Sequence, residues 1–129
     1  MTLQEAREFF ANDKYATEAS GITIEEVGEN HSVCRMPIGP IHKNAVGGVM
    51  GGAVYTLCDF AFAVATNSPE HHTVTAVCQI SYLSLVKGNV LTATADMIKD
   101  GRRTCFFQVT VTDELGTLVA IANTTGMHV

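Results

Sequence analysis

One acidic side chain stands out because of its surroundings. From Ala53 to Ala65 the chain is a helix-length apolar run, almost all Ala, Val, Leu, Phe and Cys, with a single charge, Asp59. Two glycine pairs precede it, Gly47-Gly48 and Gly51-Gly52. Inside a helix each glycine would cost about 1 kcal/mol relative to alanine. At the front of one, glycine leaves the unpaired N–H groups open to close approach. Such N–H groups, aided by the positive end of the helix dipole, stabilise a carbonyl oxygen as it becomes an oxyanion. A carboxylate of tuned pKa supplies the complementary half, a base or a nucleophile. Each half also has a purely structural explanation. A helix apolar all round should be enclosed, and an enclosed Asp59 needs a partner side chain or a wet seam. The glycines alone could serve only tight packing of helix on sheet.

These groups need a frame to hold them. Thr2-Leu3-Gln4-Glu5 fits a capping box, and Leu3, Ala6, Phe9 and Phe10 share a helical face that ends near Asn12-Asp13. Ile22 to Val27 and His31 to Met36 read as strands around a turn at Gly28-Glu29-Asn30, the second stopped by Pro37, Gly39 and Pro40. A loop from Ile41 to Val46 leads to the central helix, which Asn67-Ser68-Pro69 terminates. Beyond it Val74, Ala76, Cys78, Ile80 and Tyr82 form one face of a strand, with Thr75, Gln79 and Ser81 on the other. Lys87-Gly88-Asn89 turns the chain into Leu91, Ala93, Ala95 and Met97, the apolar face of the next strand. Asp100-Gly101 signals a hairpin into Cys105, Phe107, Val109 and Val111. Asp113 to Gly116 turns once more, and Leu118 to Met127 is the last strand. Three consecutive hairpin-linked strands after a long apolar helix predict one α+β domain over 1–129, an antiparallel sheet wrapped on one helix. One helix covers one face of such a sheet, so the uncovered side and edges predict self-association.

Composition narrows the function classes. A chain of 129 residues, 47% hydrophobic and 16% charged, is long enough for a real core. A net charge of −5 argues against a general nucleic-acid binder, which would present a basic face. No apolar run approaches the roughly 20 residues that span a bilayer, and Met-Thr-Leu-Gln-Glu-Ala-Arg-Glu lacks the apolar stretch of a signal peptide. A cytoplasmic location with no membrane partner is the expectation. Cys34, Cys58, Cys78 and Cys105 include no Cys-x-x-Cys pair, which predicts reduced core thiols. Cys58 adjoins Asp59, but neighbouring helical positions point apart, so the two make a poor catalytic pair. Histidines 31, 42, 71, 72 and 128 are scattered; His71-His72 reads as a solvated loop, and no metal is expected. There is no Gly-x-Ser-x-Gly elbow and no phosphate-loop or dinucleotide fingerprint.

Asn44, the Gly51-Gly52 pair and Asp59, fifteen positions after Asn44, resemble the signature of hotdog-fold acyl-CoA thioesterases of the PaaI type. That signature runs asparagine, a glycine-rich turn, His-Gly-Gly, then a helix carrying Asp or Glu. Met50 departs from it, standing where the family usually has histidine. The resemblance implies a hotdog fold and hydrolysis of an acyl-CoA thioester, with coenzyme A part of the substrate and no separate cofactor. It also implies a homodimer with a continuous sheet, often paired into a tetramer, and an active site at the subunit interface. From position 51 to 59 a helix rises about 12 Å, too far for both residues to meet one thioester within a chain. The resemblance implies that the acid comes from the partner subunit. Asp59 is then general base or nucleophile, and the N–H of Gly51 polarises the carbonyl. Asn44 would hold water or the carbonyl near the acid, Thr75 would help orient water, and Met50 and Gly52 would border the substrate. Asn44 as a turn cap and Thr75 as an ordinary strand residue are the alternatives.

Coenzyme A is strongly anionic. Lys99, Arg102 and Arg103 flank the Asp100-Gly101 turn and suit phosphate contact, with Lys87 on another turn; solvated turn charges are the alternative. Tyr55, Phe60 and Phe62 are candidates to line an acyl pocket. Methionine neither donates a proton nor accepts one strongly, so a non-catalytic acyl-CoA binder is the second reading. A hotdog hydratase ranks third, because that chemistry generally pairs an acid with a histidine near the helix start.

Overall fold

The computed structural model describes residues 1–129. Helix α1, Leu3–Phe10, starts on the expected capping box: Thr2 Oγ1 accepts the Glu5 N–H at 3.1 Å, and the Glu5 carboxylate accepts the Thr2 N–H at 3.0 Å. A short π-helical turn, Tyr15–Ala19, follows. Strands β1 (Thr23–Gly28) and β2 (His31–Pro37) precede a 3-10 turn, Pro40–His42, and the central helix α2, Gly51–Thr66. Four strands complete the chain: β3 (Thr73–Tyr82), β4 (Val90–Asp100), β5 (Thr104–Asp113) and β6 (Leu118–His128). All pairings are antiparallel, in the order β1-β2-β4-β5-β6-β3.

The core lies between α2 and the concave face of this sheet. Leu57, Cys58, Phe60, Ala61, Phe62 and Val64 of the helix are buried there, opposite Met36, Leu91, Phe107, Val109 and Val111. Alanines 93, 95, 120 and 122, all fully buried, keep the middle of the sheet shallow enough for the helix to settle close. At Gly126 a Cβ would come within 2.7 Å of both Phe62 and Thr73, so glycine there is a packing requirement. Phe62 also stacks edge-to-face on Phe107 at 5.3 Å. Truncating it to alanine would cost about 3–5 kcal/mol.

The strand order adds what the turns alone do not give. Hairpins join β4 to β5 and β5 to β6, but β3 pairs only with β6 at the far edge of the sheet. Lys87-Gly88-Asn89 therefore belongs to a crossover from that edge to the centre, not to a hairpin. It is pinned by the β5–β6 turn. One oxygen of Asp113 accepts the N–H groups of Lys87 and Gly88 at 3.0 Å, while Glu114 accepts that of Asn89 at 2.8 Å. Burial works to raise Asp113, but the backbone N–H groups of Thr117, Lys87 and Gly88 outweigh it and hold this carboxyl well below its ordinary range. Met97, expected to continue the buried face of β4, is partly exposed where the register shifts between Met97 and Lys99.

All four cysteines are free, three of them buried. No helix is long and apolar enough to cross a membrane.

Candidate active site

The start of α2 is built from the loop before it. Asn44 Oδ1 accepts the N–H groups of Val46 (3.1 Å) and Gly48 (3.0 Å), and the Asn44 N–H reaches Gly48 O at 2.7 Å. Gly47 closes this turn at φ +88°, a conformation that side chains disfavour. Asn44 is thus the turn's cap through its oxygen, while its amide NH2 has no partner in the chain. Met50 is the N-cap of α2 in an extended conformation, with no side-chain capping bond. Its carbonyl takes the N–H groups of Ala53 (3.0 Å) and Val54 (3.4 Å). The N–H groups of Gly51 and Gly52 donate to nothing within the chain. They are a ready pair of donors for an oxygen.

His42, one of the scattered histidines, turns out to be a structural post. It is buried, with Nδ1 accepting the Gly39 N–H at 2.9 Å. Its proton therefore sits on Nε2 and is donated to Ser20 O at 2.7 Å. Its own carbonyl accepts the Met50 N–H at 2.8 Å, tying the cap of α2 to the π-helical turn.

The helix is not enclosed. Gly52, Asp59 and, in part, Tyr55, Thr56 and Ala63 form an open stripe at helical spacing, and Asp59 is exposed. The reason is geometric, because one sheet wraps one side of a helix and leaves the other uncovered. Neighbouring atoms nevertheless shield the Asp59 carboxyl from part of the solvent. Burial there pushes its carboxyl above the ordinary value; a bond from Thr75 opposes the shift and the nearby charge of Asp13 adds to it. Thr75 Oγ1 donates to Asp59 Oδ1 at 3.4 Å. Plain alternation had placed Thr75 on the face of β3 opposite Cys78, Ile80 and Tyr82. A bulge between Thr75 and Val77 reverses the parity, so Thr75 pairs with Gly126 and Cys78 with Thr124, all turned toward the helix. Cys58 is buried and pushed up to about 12, which leaves it an inert thiol beside the acid.

Tyr82, counted earlier only as part of an apolar face, reaches the helix start. Its hydroxyl donates to Gly51 O at 2.8 Å. A Cβ on Gly51 would lie 3.1 Å from its Cζ and Oη. The only signal for this in the sequence was a tyrosine at the end of a strand. Two hollows flank the glycines. One, of about 140 Å³, is lined by Tyr15, Ile41, His42, Met50, Gly52 and Thr56. The other, of about 290 Å³, involves Gly48, Gly51, Tyr82, Leu85 and Val86. Neither contains Phe60 or Phe62, which are core residues. Phe60 stacks on Phe10 at 5.8 Å, and Phe60 and Phe62 are therefore core rings, not lining of an acyl pocket.

Other groups lie apart. Lys99, Arg102 and Arg103 are exposed at the β4–β5 hairpin, the end of the sheet where Thr73 pairs with His128. Gly51 lies at the opposite end, beside Tyr82, which pairs with Ala120. Within one chain the cationic trio is therefore remote from the glycines, whereas Lys87 lies at their end, next to Val86 of the second hollow. His71 is more than a solvated loop residue: its Nε2 lies 3.1 Å from Nδ1 of His128, whose Nε2 meets Asp100 at 2.9 Å. No three His, Cys, Asp or Glu side chains gather as a metal cage.

Comparison with known proteins gives the family. The family model of the thioesterase superfamily matches residues 46–120, the stretch that holds the glycine turn, Asp59, Thr75 and Tyr82. The acyl-coenzyme A thioesterase PaaI of Escherichia coli is 31% identical over 92% of this chain and 84% of its own. The structure of the E. coli PaaI protein superposes with a TM-score of 0.86 at 25% identity, covering 100% of this chain and 96% of the other. A hypothetical thioesterase protein from Streptococcus pneumoniae, solved with coenzyme A, gives a TM-score of 0.84 at 26% identity over 93% and 96% of the two chains. A six-stranded antiparallel sheet curled around one long helix is the hotdog fold, and the chain belongs to the thioesterase superfamily.

Proposed function

We propose that the protein is a cytoplasmic acyl-CoA thioesterase whose active site is completed between two copies of the chain. The observation that carries this reading is the open stripe of α2. It holds a carboxylate of raised pKa and two unpaired N–H groups, about 12 Å apart along one helix. These are two half-sites, and a twofold-related neighbour would bring each to its complement.

The sheet supplies a place for that neighbour. Strand β3 is a ten-residue edge with no partner on its outer side, and it exposes Val74 and Val77. Antiparallel pairing of two β3 strands would extend the sheet and set the open stripes of the two helices against each other. It would also reverse the ends, bringing the Lys99, Arg102 and Arg103 of the second copy to the side where the first presents Gly51. That gives the remote cationic hairpin a use in holding the phosphates of coenzyme A. Val74, Val77, Phe106 and Met127, exposed on the outer face of the sheet, would provide a second contact for a tetramer.

In the assembled site the thioester carbonyl accepts from the Gly51 N–H, which stabilises the developing oxyanion. Asp59 of the other copy attacks the carbonyl carbon or deprotonates a water that does so. Its raised pKa makes it a stronger base than an ordinary carboxylate. Thr75 orients the carboxylate or its water, and the free amide of Asn44 holds the water or the carbonyl. Met50 and Gly52 border the acyl group in the smaller hollow. The bond between carbonyl carbon and sulfur breaks, and the thiolate takes up the proton released from water to leave as the thiol of coenzyme A. Attack by water gives the free acid directly. Attack by Asp59 leaves a mixed anhydride that water hydrolyses to the free acid and the restored carboxylate.

The test is thiol release from short, branched, aryl and long acyl-CoAs by the wild type and Asp59→Asn. Turnover of at least one ester, lowered a hundredfold or more in the variant, is the expected result. Tight binding of CoA esters without thiol release would instead identify a non-catalytic binder.

A further inference from the structure

Tyr82 has no part in the reaction just described, yet it touches the peptide on which that reaction depends. Its hydroxyl donates to the carbonyl oxygen of Gly51 at 2.8 Å. That carbonyl and the N–H of Gly52 belong to one amide. A hydrogen bond at the oxygen of an amide polarises it and strengthens its N–H as a donor. The preceding amide is loaded in the same way, because Met50 O accepts from Ala53 and Val54 while the Gly51 N–H is bare. Both amides at the helix start are therefore bonded at oxygen and open at nitrogen.

The post that holds the second amide is itself fixed. Tyr82 ends β3, paired with Ala120, and the next two N–H groups, of Leu83 and Ser84, both donate to Val119 O at 2.8 and 3.3 Å. The ring packs so closely on Gly51 that a Cβ there would be tighter than ordinary contact. The tyrosine thus explains why position 51 lacks a side chain, quite apart from any substrate. Burial raises the phenol above its ordinary value, so it remains a hydroxyl able to donate.

We propose that Tyr82 is a positioning residue that makes the start of α2 a two-donor oxyanion site, its hydroxyl orienting and polarising the Gly51–Gly52 amide so that the Gly52 N–H joins that of Gly51 on the thioester oxygen. This rests on the thioesterase reading and extends it to a residue on a different element. Removing a direct oxyanion donor lowers turnover about a hundredfold or more. Tyr82 acts one amide away, so the expected loss is about tenfold.

Two measurements test it. The first is kcat and KM of Tyr82→Phe, which keeps the ring and removes only the hydroxyl. The second is the infrared stretch of a bound ketone analogue of acyl-CoA, its carbonyl carbon isotopically labelled and a methylene in place of sulfur. The expected result is a kcat lowered about tenfold, a KM held within about twofold, and a carbonyl stretch displaced toward its value in a weaker field. Incorporating 3-fluorotyrosine at position 82, a stronger donor of the same shape, should displace the stretch the opposite way. A purely structural tie would leave the stretch unmoved by either change. An unchanged kcat in Tyr82→Phe, or a stretch insensitive to both replacements, overturns the proposal. Absence of thiol release in the wild type would sink the thioesterase reading instead. The Tyr82 assignment would then be judged on the carbonyl stretch alone, which needs no turnover.

Discussion

Gly51→Ala separates the catalytic use of this glycine from its structural use. The backbone tolerates alanine, since Gly51 is not among the residues with positive φ. The new methyl would sit 3.1 Å from Cζ and Oη of Tyr82 and 3.4 Å from Cε1, so the ring must yield by a few tenths of an ångström. Replacing glycine restricts the unfolded chain and stabilises by about 0.4–1 kcal/mol. Weakening the Tyr82 bond to Gly51 O takes back about 1 kcal/mol. The two nearly cancel, and the melting temperature should stay within a few degrees of the wild type's. Activity has no such compensation, because the methyl and the displaced ring both disturb the place where the carbonyl docks. Misplacement of order 1 Å lowers turnover about a hundredfold. Gly52→Ala is the comparison: its Cβ meets only the flexible end of Met50 at 3.5 Å, so KM for bulky acyl groups should change more than kcat. Thermal melts by circular dichroism and thiol release from one good acyl-CoA suffice for both variants. A Gly51→Ala protein with wild-type kcat/KM would refute the placement of the carbonyl at this N–H.

Two further outcomes follow from the acid. The Thr75 hydroxyl favours the ionised form of Asp59, so Thr75→Ala should move the acidic limb of the kcat–pH profile to higher pH; a limb unmoved or moved lower contradicts their contact. Because burial raises Asp59 in the folded chain, the native state holds that proton more tightly than the unfolded one. Stability is therefore lost as pH rises through the carboxylate range. Asp59→Asn should melt with the wild type in acid and above it near neutrality, and a variant that melts lower at neutral pH would show the carboxylate to be structural.

The sequence exposed the parts whose signal is local. The capping box at Thr2, the Asp100-Gly101 hairpin, the turn at Asp113–Gly116 and the start of α2 each depend on neighbouring residues, and each was legible. Pairing partners were not. Nothing local says that β3 skips β4 to lie beside β6, since that order is set by a crossover clamped by Asp113 and Glu114 from a later turn. A single extra residue in β3 was equally invisible, yet it decides that Thr75 faces Asp59. The apolar composition of α2 predicted enclosure because composition does not say which molecule does the enclosing. His42 and Tyr82 escaped notice because their roles lie in bonds to backbone atoms 22 and 31 residues away.

The central claim is that each active site takes its glycine N–H from one chain and its carboxylate from another. Asp59→Asn and Gly51→Ala, each nearly inactive alone, can be mixed and allowed to exchange subunits. If the site is shared, half of the dimers are mixed, and each mixed dimer holds one site with both native groups. The mixture should then regain about a quarter of the wild-type kcat at equal total chain. A mixture no more active than the mean of the two variants, with exchange verified by mass, would contradict a site shared between subunits.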